Sequence, residues 1–310
     1  MVAFAPTGSA EFFGALARRR LLIVSGKGGV GRSTVAALLG LELAARGKRV
    51  LVATTGHDDR LAWMLGHAEL RDAPTEVREG LFIQRLVPTT CVREYGAIMM
   101  RSERLSNAVF GNRVMKRLIG AVPGLDDYAV LGKVWHEATR SGNFDCAVFD
   151  GPASGHLRLN LGVPRAIVET APRGILREEA ARIVATLTNP ADCAAVLVGL
   201  PETWPLTELG ELSVALRDDL SVDVGAMVVN KQWPQAIEPV RPEVELSADE
   251  DFAWTHLGKL ARRSAKQAAE VDAWISQSGG DPRPMISLPF VAGGFDEPAV
   301  FDRWRREAQS

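Results

Sequence analysis

Leu21-Leu22-Ile23-Val24-Ser25-Gly26-Lys27-Gly28-Gly29-Val30-Gly31-Arg32-Ser33-Thr34 is the stretch that decides the fold. Four apolar residues run into Ser25-Gly26, which reads as a buried strand meeting a turn. Residues 33–46, rich in Ala and Leu, read as a helix, and Gly47 suits its C-terminal cap. Residues 49–54 read as a second strand. A strand, a helix and a strand within about 35 residues make a parallel βαβ unit. Between the first strand and the helix lies the GxxxxG spacing of a phosphate loop, followed by a basic residue and a serine. Glycines let backbone N–H groups turn inward around phosphate oxygens, and the helix N-terminus adds a dipole that favours the anion. Gly28, Gly29, Val30 and Gly31 would form the cradle, with Arg32, Ser33 and Thr34 at the mouth of the helix. The Ser33 hydroxyl is placed to ligate Mg²⁺.

Outward from this unit the pattern recurs. Residues 144–149 read as a strand ending at Asp150, residues 194–200 as another followed by a helix over 204–219, and residues 222–229 as a third ending at Asn230. A long helical stretch over 246–277 leads to a last strand near 285–288, and residues 233–245 read as a surface loop. The alternation predicts an α/β, three-layer, mostly parallel sheet with helices on both faces. Ligands bind such sheets at the carboxyl ends of the strands, here just after Val24, Thr54, Phe149, Val229 and Leu288. Residues 88–142 break the rhythm and read as an insertion of two or three helices, with apolar positions from Ile98, Met99 and Met100 through Leu105 to Ile119. Residues 1–19 read as a short leader with one or two helical turns, ahead of one domain over 20–310.

Composition narrows the classes. Of 310 residues, 46% are hydrophobic and 24% charged, enough for a full core without disulfide staples. The net charge of −2 argues against an overall nucleic-acid footprint. Three scattered cysteines, Cys91, Cys146 and Cys193, without a CxxC pair, predict buried free thiols in a reducing cytoplasm rather than a zinc site. No apolar run reaches the roughly 18 residues of a membrane span, and the mixed C-terminal Phe301-Asp302-Arg303-Trp304-Arg305-Arg306 is too short for an interfacial anchor.

Two motifs carry a resemblance. Lys27-Gly28-Gly29-Val30-Gly31 resembles the deviant Walker A loop of the MinD/ParA/ArsA class of P-loop ATPases. Asp150-Gly151-Pro152-Ala153-Ser154-Gly155-His156 resembles the D-x-P-x-T-G-H switch II of the ArsA/Get family, which includes the arsenical-pump ATPase and the tail-anchored-protein targeting ATPase. Leu161-Gly162-Val163-Pro164-Arg165, Leu200-Pro201-Glu202, Val228-Val229-Asn230 and Leu288-Pro289-Phe290 extend it over about residues 20–295, closest to short, single-copy bacterial members. The resemblance implies ATP and Mg²⁺ as ligands. It also implies Asp150 on the Mg²⁺ shell, Arg32 on the β/γ-phosphates, Lys27 reaching across a dimer, Asn230 on adenine, and Pro289 and Phe290 in the adenine loop. It implies a homodimer, or a heterodimer with a paralogous ATPase, acting on a client such as a hydrophobic segment or another protein.

The sequence departs from that pattern twice. Arg32 replaces the usual lysine, keeping the charge in a bulkier planar group. The acid that aims the attacking water in the family falls on Gly56, leaving Asp58 and Asp59 as the nearest replacements. The expectation is an ATPase that holds nucleotide but turns over slowly. Its rivals are a regulatory subunit paired with an active paralogue and a ParA/MinD-like positioning ATPase, against which the switch II sequence argues.

Overall fold

The computed structural model describes residues 4–100, 124–234, 246–277, 282–291, 294–295 and 298–307. Its strands are β1 (Phe4–Pro6), β2 (Leu21–Gly26), β3 (Val50–Thr54), β4 (Thr75–Arg78), β5 (Leu81–Arg85), β6 (Cys146–Asp150), β7 (Cys193–Gly199), β8 (Val224–Gln232) and β9 (Arg283–Pro289). Its helices are α1 (Ser9–Leu16), α2 (Arg32–Ala44), α3 (Arg60–Met64), α4 (Pro88–Met100) and α5 (Leu125–Thr139). They continue with α6 (Ser154–Thr170), α7 (Ile175–Leu187), α8 (Thr203–Leu220), α9 (Ala248–Ser276) and α10 (Pro298–Glu307).

The strands join one nine-stranded sheet in the order β1-β9-β8-β7-β2-β6-β3-β5-β4, and only the β4–β5 pair is antiparallel. Central strands are buried on both faces, which is why they read as continuous apolar runs rather than as alternation. The pleat still sorts them. Leu21, Ile23, Leu51, Ala53, Ala147 and Phe149 enter one core, while Leu22, Val24, Val50, Val52, Cys146 and Val148 enter the other. Helices α4 to α8 and the end of α9 cover the first face. Helices α1, α2, α3 and α10 cover the second, with α2 buried along Thr34 to Leu43.

The expected alternation is present, and three details differ from expectation. Residues 1–19, expected as a short leader, join the sheet within their described part: β1 pairs parallel with β9, and Phe12, Phe13 and Leu16 of α1 are buried. Those apolar residues on one helical face are what tie the segment down. The β4–β5 hairpin lies between the second strand and the insertion; β4 is short, polar and half-exposed, while β5 brings Leu81 and Ile83 into the core. Residues 298–307 form α10, held by buried Phe301 and Trp304.

Of the expected insertion, α4 and α5 are described and pack on each other. A Cβ at Gly132 would fall 2.3 Å from the Tyr95 ring, so glycine is what permits that close approach. The apolar positions from Leu105 to Ile119 lie outside the described residues, as does most of the 233–245 loop.

Candidate functional site

Strand β2 ends at Gly26 and α2 begins at Arg32, so the loop between them turns at the carboxyl edge of the sheet. Gly29 (φ 82°) and Gly31 (φ 96°) occupy the left-handed region that favours glycine. A Cβ at Gly31 would also lie 2.2 Å from the Asn230 side-chain nitrogen. The first-turn N–H groups of α2 have no intrahelical acceptor and open onto this loop, the arrangement that binds phosphate.

Asp150 ends β6, which lies between β2 and β3 with Val24 and Thr54 as its register partners. That register brings two hydroxyls to one carboxylate oxygen: Ser33 Oγ donates to Asp150 Oδ2 at 2.6 Å and Thr54 Oγ1 donates to it at 2.9 Å. Asp150 is buried, and burial pushes its pKa above the usual carboxylate range. The hydrogen bonds from Ser33 and Thr54 and the nearby Arg32 charge pull it back down. A hydroxyl beside a carboxylate is a hard-oxygen donor set of the kind Mg²⁺ takes. The Arg32 guanidinium donates to the Gly151 carbonyl, and Ser25 Oγ donates to the Pro152 carbonyl at 2.9 Å, so the 151–153 loop is held from below by the phosphate loop.

A cleft of about 450 Å³ opens above these groups. Its floor is Gly29, Gly31, Arg32, Ser33 and Thr34, and one wall is Asn230 with Lys231. Its far end is aromatic and apolar, built from Pro289, Phe290, Val291, Phe295 and Trp304. Asn230 is buried and its amide donates to the Val30 carbonyl at 2.8 Å, so in this structure the amide braces the loop. Lys231, at φ 62°, donates from Nζ to the Gly29 carbonyl at 2.8 Å. Trp304 Nε1 donates to the Pro289 carbonyl at 2.9 Å, fixing α10 to the far end of the cleft.

The structure separates the two acids offered for the missing one. Asp58 lines the cleft, whereas Asp59 accepts from Leu70 N–H at 2.8 Å and from Arg85 at 2.7 Å. These bonds, the backbone one first, hold the Asp59 pKa below its ordinary value. Gly56 is not in the left-handed region; a Cβ there meets only Thr54 Oγ1, at 3.3 Å. Lys27 points away from its own loop and pairs with Glu208 of α8 at 2.7 Å. His156, on the first turn of α6, is exposed.

The cysteines are buried free thiols, as expected, and burial pushes Cys91 and Cys146 up to about 12. Among the described residues no group of His, Cys, Asp and Glu is arranged to hold a metal by itself, and no helix is long and apolar enough to cross a membrane. Four residues at the site were not singled out from the sequence: Thr54, which bonds Asp150, and Arg60, Lys231 and Trp304, which line the cleft. Thr54 had a signal, since it ends a strand at the edge where ligands bind. The others arrive through tertiary packing.

Comparison with known proteins points to one family. The family model described as anion-transporting ATPase, the ArsA ATPase model, matches residues 19–173. The chain is 30% identical to the ATPase BagA of Mycobacterium tuberculosis over 325 aligned positions, covering 91% of each. It is 27% identical to the ATPase get3 of Schizosaccharomyces japonicus, covering 58% of this chain and 57% of that protein. An arsenical pump-driving ATPase of Acidiphilium multivorum matches at 25% identity, over 69% of this chain and 40% of its own length. A phosphate loop, a buried Asp at the end of the neighbouring strand and this likeness along nearly the whole chain lead to one assignment: the chain belongs to the ArsA/Get family and is an ATPase of the P-loop α/β fold.

Proposed function

We propose that this ATPase binds Mg·ATP with its triphosphate on the 26–34 loop and its adenine toward Pro289 and Phe290, and passes nucleotide state to the helical insertion. The observation that carries the reading is the convergence of Ser33 and Thr54 on Asp150 beside the glycine loop. Ser33 and Asp150 would hold Mg²⁺, which neutralises phosphate charge when bound. Arg32 serves the β/γ-phosphates. Its present acceptor is the Gly151 carbonyl, so a shift to phosphate releases the 151–153 loop. Beyond that loop α6 reaches α5, where Asn160 Nδ2 donates to Asp127 Oδ1 at 3.2 Å, a contact that supports coupling to the insertion.

Lys27 has no role in its own cradle, and its position on the exposed rim favours contact with a nucleotide in a second subunit, identical or paralogous. Asn230 serves the base side of the cleft through its bond to the loop. Gly56 supports slow hydrolysis. For the same reason it favours, as a second reading, a regulatory subunit beside an active paralogue. Calorimetric titration with Mg·ATP and Mg·GTP tests the main reading. Asn230-Lys231-Gln232-Trp233 lacks the Asp of a guanine-reading NKxD motif, so ATP binds more tightly than GTP. Ser33→Ala and Asp150→Asn weaken binding only when Mg²⁺ is present. Equal affinity for GTP, or unchanged binding in both variants, overturns it.

A further inference from the structure

The carboxyl end of β8 does not follow β9 in regular register. Pairing runs from Val229↔Ser287 to Gln232↔Pro289 across an irregularity that contains Lys231 in the left-handed conformation. Such a break re-aims the side chains beyond it and commonly lies beside a functional site. Here it turns Trp233 out of the sheet and onto Phe290. Their rings stack with centroids 4.6 Å apart and planes 29° apart, while the Phe290 N–H donates to the Gln232 carbonyl at 2.8 Å.

Phe290 lines the cleft; Trp233 stands behind it, against α9. The helix grips Trp233 from three sides. Gln267 Oε1 accepts from its N–H at 3.0 Å, Ser264 Oγ donates to its carbonyl at 3.3 Å, and the Arg263 guanidinium lies 5.5 Å from its ring centroid. Gln267 and Ser264 are 5% and 2% exposed. Two buried polar side chains in the middle of a long helix are thus committed to one residue of a loop. A polar group is retained in such a place only with its partner made, because losing the partner leaves it unsatisfied.

We infer that Trp233 is the positioning residue of the base subsite: held by Ser264 and Gln267 of α9, it fixes the plane of Phe290 against which a purine base stacks. The inference rests on the reading of Pro289 and Phe290 as the base end of the cleft. It adds that base affinity depends on a residue that touches no nucleotide, and that α9 is mechanically joined to the base. The phosphate subsite is built on α2 and β6 and is braced from β8 by Asn230 and Lys231, rather than by the Ser264 and Gln267 bonds from α9.

The test measures displacement of radiolabelled ATP by unlabelled Mg·ATP and by magnesium tripolyphosphate, which has the phosphates and no base. Trp233→Ala weakens ATP by about 3- to 10-fold, the worth of one aromatic stack, and leaves tripolyphosphate within about 2-fold of wild type. Trp233→Phe, which keeps a ring, restores ATP binding. Gln267→Leu, which removes the acceptor and keeps the helix, produces the same selective loss and stands in if Trp233→Ala does not fold. ATP affinity unchanged in both Trp233→Ala and Gln267→Leu overturns the inference, and so does an equal loss of ATP and tripolyphosphate. A wild type that binds neither probe overturns the ATP-binding reading beneath it.

Discussion

Ser33 Oγ donates to Asp150 Oδ2 over 2.6 Å, joining the first turn of α2 to the carboxyl end of β6 across 117 positions of chain. The pair has an acid–base consequence. Burial raises the Asp150 pKa above its unfolded value, so the native state binds that proton more tightly than the unfolded chain does. Its contribution favours folding below the unfolded pKa and is lost as pH rises through the folded one. Asp150→Asn therefore raises the melting midpoint of the nucleotide-free protein at neutral pH, with the gain closing toward acid pH, while it weakens Mg·ATP binding. Scanning calorimetry across pH checks the sign; a midpoint lowered at neutral pH would count against it.

Hydrolysis should respond to residues that leave binding alone. Wild-type turnover is expected well below the roughly 1–100 per second of efficient phosphoryl transfer. Gly56→Asp raises it, since the backbone there is not left-handed and a side chain meets only Thr54. Asp58→Asn lowers the residual rate, because Asp58 faces the cleft. Asp59→Asn lowers the melting midpoint instead, through loss of its Leu70 and Arg85 bonds. A phosphate-release assay beside thermal melts separates the three. Brisk wild-type hydrolysis that survives both Asn substitutions sinks the assignment of Gly56.

Arg32 gives a graded series. Arg32→Ala removes the cation and weakens Mg·ATP binding by about 1.5–3 kcal/mol, the range for hydrogen bonds to charged groups. Arg32→Lys keeps a point charge but loses the planar fork that now reaches Gly151, and falls between. Titration calorimetry reads the order directly, and an alanine variant that binds like wild type removes Arg32 from the site.

The Lys27–Glu208 pair tests the dimer. Both side chains are well exposed, 59% and 37%, so breaking the pair changes stability by less than about 1 kcal/mol. Lys27→Ala should nonetheless abolish nucleotide-dependent association, while Glu208→Ala leaves it intact or strengthens it by freeing the lysine. Light scattering with a non-hydrolysable ATP analogue, alone and with any co-purifying paralogue, follows both. A strict monomer under every condition contradicts the proposal.

The sequence by itself determined what depends on neighbours along the chain. Leu21 to Val24 and residues 50–53, 146–149 and 193–198 are apolar because both faces of each strand are covered, and such runs are visible without a structure. The glycines at 29 and 31 were legible for a similar reason, because a left-handed turn before a helix demands them. The position of Asp150 at a strand end followed from the same local reading.

Tertiary structure alone decided what depends on which strand lies beside which. Nothing in residues 50–54 announces that Thr54 will meet Asp150; the insertion of β6 between β2 and β3 does that. Residues 4–6 are too short to declare themselves a strand, and they and the helical turns after them join the sheet only by pairing with β9 and burying Phe12 and Phe13. Asp58 and Asp59 are chemically equal neighbours, and Arg85 on β5 pairs with the carboxylate of only one of them. Lys231 and Trp304 enter the site, and Trp233 comes to stand behind it, through a register break and a helix over 298–307 folded back onto the sheet. Side-chain periodicity records only whether a residue faces a core. Partners more than a few turns away are chosen by packing of the whole, which the local pattern does not encode.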